Sequence, residues 1–253
     1  MKTISFVSGG KLGDFIHTLS VVKNICLKEN CLANLYLSEG RGDIWTFGAE
    51  NAFNDLHDLV STQPYINSFS TEPSDLNESF IDLNRWRTVV AEIHAETGVY
   101  NACWSNLLSC VYDFSIPDSY AWIQTGNKAE FRDKIVIHQS LRHYCGLPWD
   151  EIFEIPCKGR VFVTSNIEEW NNFKHKDGVS LCLVNSVKEM AVAINSGKLF
   201  VGNQSAPFAI ASALDVPRIV GLDPDPAPFY MGEERYSDNI MWYLNDKTKY
   251  MRL

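Results

Sequence analysis

The chain is short of positive charge. Lysine and arginine total 22 against 31 acidic residues, a net charge of −9. That balance excludes a general electrostatic footprint for a nucleic-acid backbone or an anionic membrane and leaves room only for a local basic pocket. Long hydrophobic runs are absent too: the longest apolar stretches fall far short of the roughly 20 residues that span a bilayer. No apolar stretch of signal-peptide length follows Lys2, so the chain reads as cytoplasmic. Its cysteines (Cys26, Cys31, Cys103, Cys110, Cys145, Cys157 and Cys182) are odd in number, scattered and without a CxxC pair. They suit reduced thiols packed as small core residues better than a disulfide frame or a zinc site. There is no short-period repeat and no low-complexity tract.

What is present is ordinary core-forming material: 253 residues, 45% hydrophobic, enough for one large domain or two of about 100–150 residues each. Read along the chain, short apolar strands alternate with helices. Ile4 to Val7 is a continuous apolar strand. Asp14 to about Glu29 is a helix with Phe15, Ile16, Leu19, Val22, Ile25 and Cys26 near one face. A strand at Ala33 to Leu37, a helix near Phe53 to Val60, a strand at Ser79 to Leu83 and a helix from about Thr88 to Thr97 follow. After a polar pause through SYAWIQTGNKAEFRD the rhythm restarts. Strands are expected at KIVIHQ, GRVFVTS, VSLCLV, KLFVGN and PRIVGL, and helices at NSVKEMAVAINSG and SAPFAIASALD. This is the pattern of parallel sheets covered by helices, and it divides into two α/β units, residues 1–125 and 130–253.

In open parallel sheets, ligands bind outside the carboxyl ends of the strands, on loops that lead into helix N-termini. The loops in that position are Gly9 to Asp14, Gln139 to Trp149, Asn185 to Glu189 and Gly202 to Pro207. In the first, GGKLGDFIHTL, the glycines permit close backbone approach and the helix beyond carries a partial positive charge. GGKLGD is not GxGxxG, which disfavours a nucleotide-dependent oxidoreductase. Asp14 fits an ordinary cap position as well as a site, and His17 and Thr18 share its helix face. In the last loop, Ser205 is placed to cap a helix whose N–H groups suit phosphate, and a well-capped core helix fits the same residues.

The pairing of GGKLGDFIHTL with VKEMAVAINSGKLFVGNQSAPFAIASALDVPRIV resembles the heptosyltransferase-type glycosyltransferases, glycosyltransferase family 9 and looser relatives. It covers both halves of the chain. The resemblance implies two Rossmann-like parallel-sheet domains facing a cleft (GT-B type), the first on the acceptor side and the second holding the nucleotide-sugar donor. It implies a metal-independent inverting transfer from a nucleotide diphosphate sugar, as substrate rather than cofactor, to a glycan or other hydroxyl acceptor. A peripheral membrane acceptor is compatible with it. Asp14 falls on the family's base, with Gly10, Gly13, His17 and Arg85 on the acceptor side. Asn203, Gln204, Ser205, Ala206 and Pro207 fall on the donor motif. There Gln204 replaces the family's aspartate, Ala206 a glycine and Ala209 a histidine, so a non-catalytic nucleotide-sugar or glycan-binding protein is the alternative.

Further donor contacts are expected from Arg142, whose guanidinium can hold phosphate oxygens bidentately, and from its neighbours Gln139, Ser140 and His143. A solvated loop arginine is the competing reading. His138 is expected to pack or bond within the protein. Ser186 is expected among the donor contacts and is also placed to cap the next helix, and Glu189 either meets a donor ribose or is a helix-start glutamate. Asp82, Asn84, Arg85 and Arg87 in SFIDLNRWR follow a strand toward the acceptor side. Trp104, Trp122, Trp149 and Trp170 read as packing residues. No cluster has metal-ligand spacing, and DPDP at Asp223 to Pro226 reads as a proline-stiffened turn.

Overall fold

The computed structural model describes residues 2–41, 44–73, 79–97, 102–114, 120–142, 147–221, 229–230 and 242–244. The first half runs β1 (Thr3–Ser8), α1 (Leu12–Glu29), β2 (Leu32–Leu37), α2 (Ala49–Val60), β3 (Ile66–Thr71), β4 (Phe80–Asp82), α3 (Arg85–Thr97), β5 (Ala102–Cys103) and α4 (Trp104–Tyr112). After a 3₁₀ turn at Ala129–Phe131 come β6 (Ile135–His138), α5 (Trp149–Glu154), β7 (Arg160–Thr164), α6 (Ile167–Asn172), β8 (Val179–Leu183), α7 (Val187–Ser196), β9 (Leu199–Asn203), α8 (Ala206–Ala213) and β10 (Arg218–Gly221). The short strands β11 (Phe229–Tyr230) and β12 (Trp242–Leu244) complete the order.

Among the described residues two large sheets form, β3-β2-β1-β4 and β12-β10-β9-β6-β7-β8, beside a two-stranded pair, β11-β5. All pairs are parallel except the β10–β12 edge. Each large sheet begins in its middle: the chain steps outward twice on one side of the first strand, then returns to the other side of it. The reversal lies between β1 and β4 in one sheet and between β6 and β9 in the other. A crevice opens outside the carboxyl ends of parallel strands at such points, so the topology places two crevices before any side chain is considered.

Helix α1 is more buried than its stripe predicts. Phe15, Ile16, His17, Thr18, Leu19, Ser20, Val21 and Val22 are all buried, because its own sheet covers one face and α8, from the other half, lies against it. One apolar cluster therefore runs through both halves, from Phe6, Phe15 and Leu35 to Phe200, Phe208 and Val220. A second, with Ile137, Trp149, Phe162 and Phe173, belongs to the second half alone.

The polar segment between the halves is bonded to both of them. Tyr65 Oη donates to the Trp122 carbonyl at 2.7 Å and Trp122 Nε1 to the Ile16 carbonyl at 2.7 Å. Trp122 and Ile123 N–H groups both reach the Ala213 carbonyl of the second half.

The sequence led us to expect the extreme C-terminal segment, with Trp242 and Tyr243, on the first half. A crossing is described at residues 229–230, and residues 245–253 lie outside the described residues. Phe229–Tyr230 pairs with Ala102–Cys103 of the first half, while Trp242–Leu244 lies antiparallel on β10, whose edge it covers. His143 and Asp223 to Pro226 lie outside the described residues. Among the described residues, no helix is long and apolar enough to cross a membrane.

Candidate functional site

The glycines after β1 make room for the protein itself. A Cβ at Gly9 would lie 1.6 Å from the Arg41 carbonyl oxygen, so the loop after β2 is seated directly on this residue. Gly9 N–H is held by Asn84 Oδ1 at 3.1 Å, and Asn84 is oriented in turn by Asp82 Oδ1 at 2.8 and 3.0 Å. Gly10 has φ +105°, a conformation that side chains disfavour. It shapes the turn and lies outside the cavity wall described below. At Gly13 a Cβ would meet Ala206 Cα at 3.5 Å and Ala209 Cβ at 3.8 Å. This is the seam where α1 meets α8. The small residues that replace the resembled family's glycine and histidine, Ala206 and Ala209, lie along it, and Ala209 is 1% exposed.

Beside that seam is a cavity of about 270 Å³ where the two crevices meet. Its wall includes Lys11, Gly13, Asp14 and His17 of the first half, with Thr46 and Trp104, and Arg142, Gln204, Ser205, Ala206 and Phe208 of the second. Seven of the residues expected from sequence are thus brought together: Gly13, Asp14, His17, Arg142, Gln204, Ser205 and Ala206.

Helix α1 starts two residues before the expected position, so Asp14 lies within its first turn rather than at the cap. Arg87, from the start of α3, donates from Nη2 to Asp14 Oδ2 at 2.8 Å. The two side chains are 22% and 23% exposed, and the guanidinium lies 4.3 Å over the Trp86 ring. Arg85, the arginine favoured from sequence, is exposed and turned toward Tyr112. Helical spacing separates them: two residues rotate a side chain to another face, and Trp86 between them is buried.

His17, one turn beyond Asp14, is 3% exposed. Its ring stacks on Trp104 at 4.7 Å, meets Phe208 edge-on at 5.8 Å and lies 6.2 Å from Trp122. Burial, with a smaller contribution from Arg218, lowers its pKa to about 3, so the imidazole is neutral at ordinary pH.

On the second-half side, α8 begins at the cavity. Ser205 occupies the N-cap position, but its hydroxyl donates back to the Asn203 carbonyl at 3.1 Å and makes no capping bond. Lys11, the N-cap of α1, makes none either. Asn203 is 1% exposed and clamps the loop after β6. Its Oδ1 accepts from Ser140 N–H at 3.0 Å, and its Nδ2 donates to Ser140 Oγ at 3.0 Å and to the Arg142 carbonyl at 2.6 Å. Asn203 and Ser140 therefore position Arg142, whose exposed side chain lines the cavity. Gln139 and Pro207 are outside the wall, Pro207 buried in the first turn of α8.

Ser186 and Glu189 do not join this site. Ser186 Oγ accepts from Glu189 N–H at 3.1 Å while Glu189 Oε2 accepts from Asn185 N–H at 2.8 Å. Ser186 thus caps α7, and Glu189 reaches back to the residue before the cap, in a variant of the capping box. His138 bonds the Val163 carbonyl through Nδ1 at 2.9 Å, in keeping with a packing role. Sequence reasoning did not select Lys11, Leu12, Thr46, Trp104 or Phe208 as cavity residues. Only Lys11 carried a local signal, as a cation next to a helix start. Among the described residues, no group of three or more His, Cys, Asp or Glu is placed to hold a metal ion.

No protein-family model matches the sequence, and no curated protein matches it. Solved structures do. E. coli heptosyltransferase WaaC with ADP-2-deoxy-2-fluoro heptose superposes with TM-score 0.55 at 12% identity, over 95% of each chain. TibC, an iron-containing dodecameric glycosyltransferase from enterotoxigenic E. coli H10407, gives 0.57 at 12% identity, over 94% of this chain and 64% of its own. E. coli ADP-heptose LPS heptosyltransferase II gives 0.50 at 12% identity, over 98% and 96%. Two Rossmann-like sheets meeting at a cleft, matched along almost the whole chain, give this protein the GT-B fold of the heptosyltransferases.

Proposed function

We propose that the protein is an inverting, metal-independent glycosyltransferase that moves a sugar from a nucleoside diphosphate to a hydroxyl of a glycan or other acceptor. The observation that carries this is the convergence of two helix N-termini without side-chain caps, those of α1 and α8, on one cavity that also holds Lys11, Arg142 and Asp14. Helix N-termini attract phosphate through oriented N–H groups and the helix dipole. With the two cations they supply the charge that a departing diphosphate needs. The WaaC structure in this fold carries an ADP-sugar analogue, which supports a nucleotide-sugar donor here.

In the reaction, the acceptor oxygen attacks the anomeric carbon from the face opposite the diphosphate. The carbon–oxygen bond to phosphate breaks with its electron pair on the leaving group, and the hydroxyl proton passes to Asp14. Arg87 holds the carboxylate in place for that transfer. A general base has to lie within about 3 Å of the group whose proton it removes, and among the described residues of the cavity wall Asp14 is the carboxylate.

A second reading, a binding protein without turnover, is favoured by the Arg87 ion pair, which gives Asp14 a structural partner, and by Gln204 at the acidic position of the resembled family. Calorimetry with ADP, UDP, GDP and NAD, followed by transfer assays with the matching nucleotide sugars, separates the two. Binding of a nucleoside diphosphate with sugar release that depends on Asp14 supports the enzyme. Binding with no turnover supports the second reading, and preference for NAD overturns both.

A further inference from the structure

His17 places an imidazole in a cavity wall that also carries Lys11, Asp14 and Arg142. The ring cannot turn, being packed flat on Trp104 and against Phe208 and Trp122. Among the described residues its Nδ1 is enclosed without a hydrogen-bond partner. Filling this position with phenylalanine would keep the aromatic packing and remove the orphaned nitrogen, so packing alone does not explain an imidazole there. The ring lines the same cavity as Asp14, one helical turn away.

We propose that His17 binds the transferred sugar, hydrogen-bonding one of its hydroxyls through Nε2 at the floor of the cleft, and so is a specificity-determining residue of this site. This rests on the glycosyltransferase reading. Enclosing an unpaired N–H is the rarer and more costly defect, so the ring proton sits on Nε2 and Nδ1 is a bare lone pair. Nε2–H is then the ring group left to donate to a ligand in the cavity that His17 lines. Because the imidazole stays neutral, it adds nothing to diphosphate binding, which falls to Lys11, Arg142 and the helix ends. A neutral donor lining the same cavity as those groups and Asp14 is matched to a hydroxyl, and in a donor whose diphosphate lies at the helix ends the transferred sugar is the hydroxyl-bearing part held next to the base.

The test uses the full chain and pairs each diphosphate (ADP, UDP, GDP) with its sugar nucleotide (ADP-glucose, UDP-glucose, GDP-mannose). For whichever pair binds, the ratio of the two dissociation constants measures the sugar's own contribution. His17→Phe is expected to shrink that ratio by about three- to tenfold, the size of one neutral hydrogen bond, with less than twofold change for the bare diphosphate. His17→Gln, which retains a donor, is expected to keep more of it. In parallel, ¹⁵N-histidine spectra of the unmutated protein are expected to shift at His17 with the sugar nucleotide and not with the diphosphate. An unchanged ratio, or an equal loss for both ligands, overturns the proposal and leaves the glycosyltransferase reading standing. If His17→Phe does not fold, the spectra decide alone, and no sugar-dependent shift overturns it. If the unmutated protein binds none of the pairs, both readings fall.

Discussion

Arg87 Nη2 and Asp14 Oδ2 are 2.8 Å apart, joining the first turn of α3 to the first turn of α1 across the mouth of the β1–β4 crevice. With only 22% and 23% of the two side chains open to solvent, the pair is part-buried, and much of its attraction is offset by the desolvation of both charges. Its position matters more, since it fixes a carboxylate in the wall of the cavity.

Asp14→Asn therefore separates structure from chemistry. Asparagine keeps an oxygen for Arg87 and the same shape but not the counter-charge of a part-buried guanidinium, so the protein is expected to stay folded with a loss of no more than about 3 kcal/mol. Transfer is expected to fall by about 10²–10⁴, the usual loss when a general base is removed. Rates measured with the donor found by calorimetry check this, and near-normal transfer would reduce Asp14 to an anchor for Arg87.

Arg142→Ala is expected to weaken nucleoside diphosphate binding roughly ten- to a hundredfold, the loss of about 1.5–3 kcal/mol for a charge-assisted contact. Stability is expected to stay level, because the loop is held by Asn203 bonding the Arg142 carbonyl rather than the guanidinium. Asn203→Ala should show the reverse emphasis: a buried amide with several bonds is lost, so melting temperature and affinity drop together. Calorimetry paired with thermal melts distinguishes the two variants.

The alternation of strands and helices was legible because buried parallel strands are continuous apolar runs and the helices between them have regular spacing. The strand β3 was not, since INSFST is polar at its outward positions and lies at a sheet edge. α5 and α6, six residues each, are too short to show a period. At the site, the loops after β1, β6 and β9 could be selected because parallel topology places function there. The side chains were harder. Ser186 and Glu189 looked like ligand groups because a capping box and a ribose contact use the same residue types. Thr46 and Trp104 could not be found at all, because only the packing of distant segments brings them to the cleft. Gly9 and Gly13 signalled close approach correctly, but a glycine does not announce whether a ligand or another part of the chain comes near.

Substitution sorts those glycines. Gly9→Ala would drive a Cβ into the Arg41 carbonyl, a backbone atom with no flexible end to yield, so a loss of several kcal/mol is expected from displacing the 38–41 loop. Gly13→Ala would meet Ala206 and Ala209 at ordinary contact distance and add helix propensity, so stability is expected to change by no more than about 1 kcal/mol in either direction. Urea unfolding of both variants tests the contrast. Equal effects would mean that the α1–α8 seam is tighter than its spacing implies.

The last prediction concerns acid. His17 has a folded pKa of about 3 because of burial, against roughly 6.5 in an unfolded chain. Between those values the unfolded state binds a proton that the folded state does not, so stability falls as pH falls through the window and is unaffected above it. From pH 7.5 to pH 5 the loss from this one group is about 2 kcal/mol. His138, also lowered by burial, acts in the same direction. His17→Phe cannot take up a proton in either state, so urea midpoints measured at both pH values are expected to fall less in this variant, by about that 2 kcal/mol. Carboxylates that titrate over the same range are common to both proteins and cancel in the comparison. Should the two proteins lose stability equally, His17 accepts a proton in the folded cleft at pH 5, and it would then meet a ligand there as a cation rather than as the neutral donor that its buried surroundings imply.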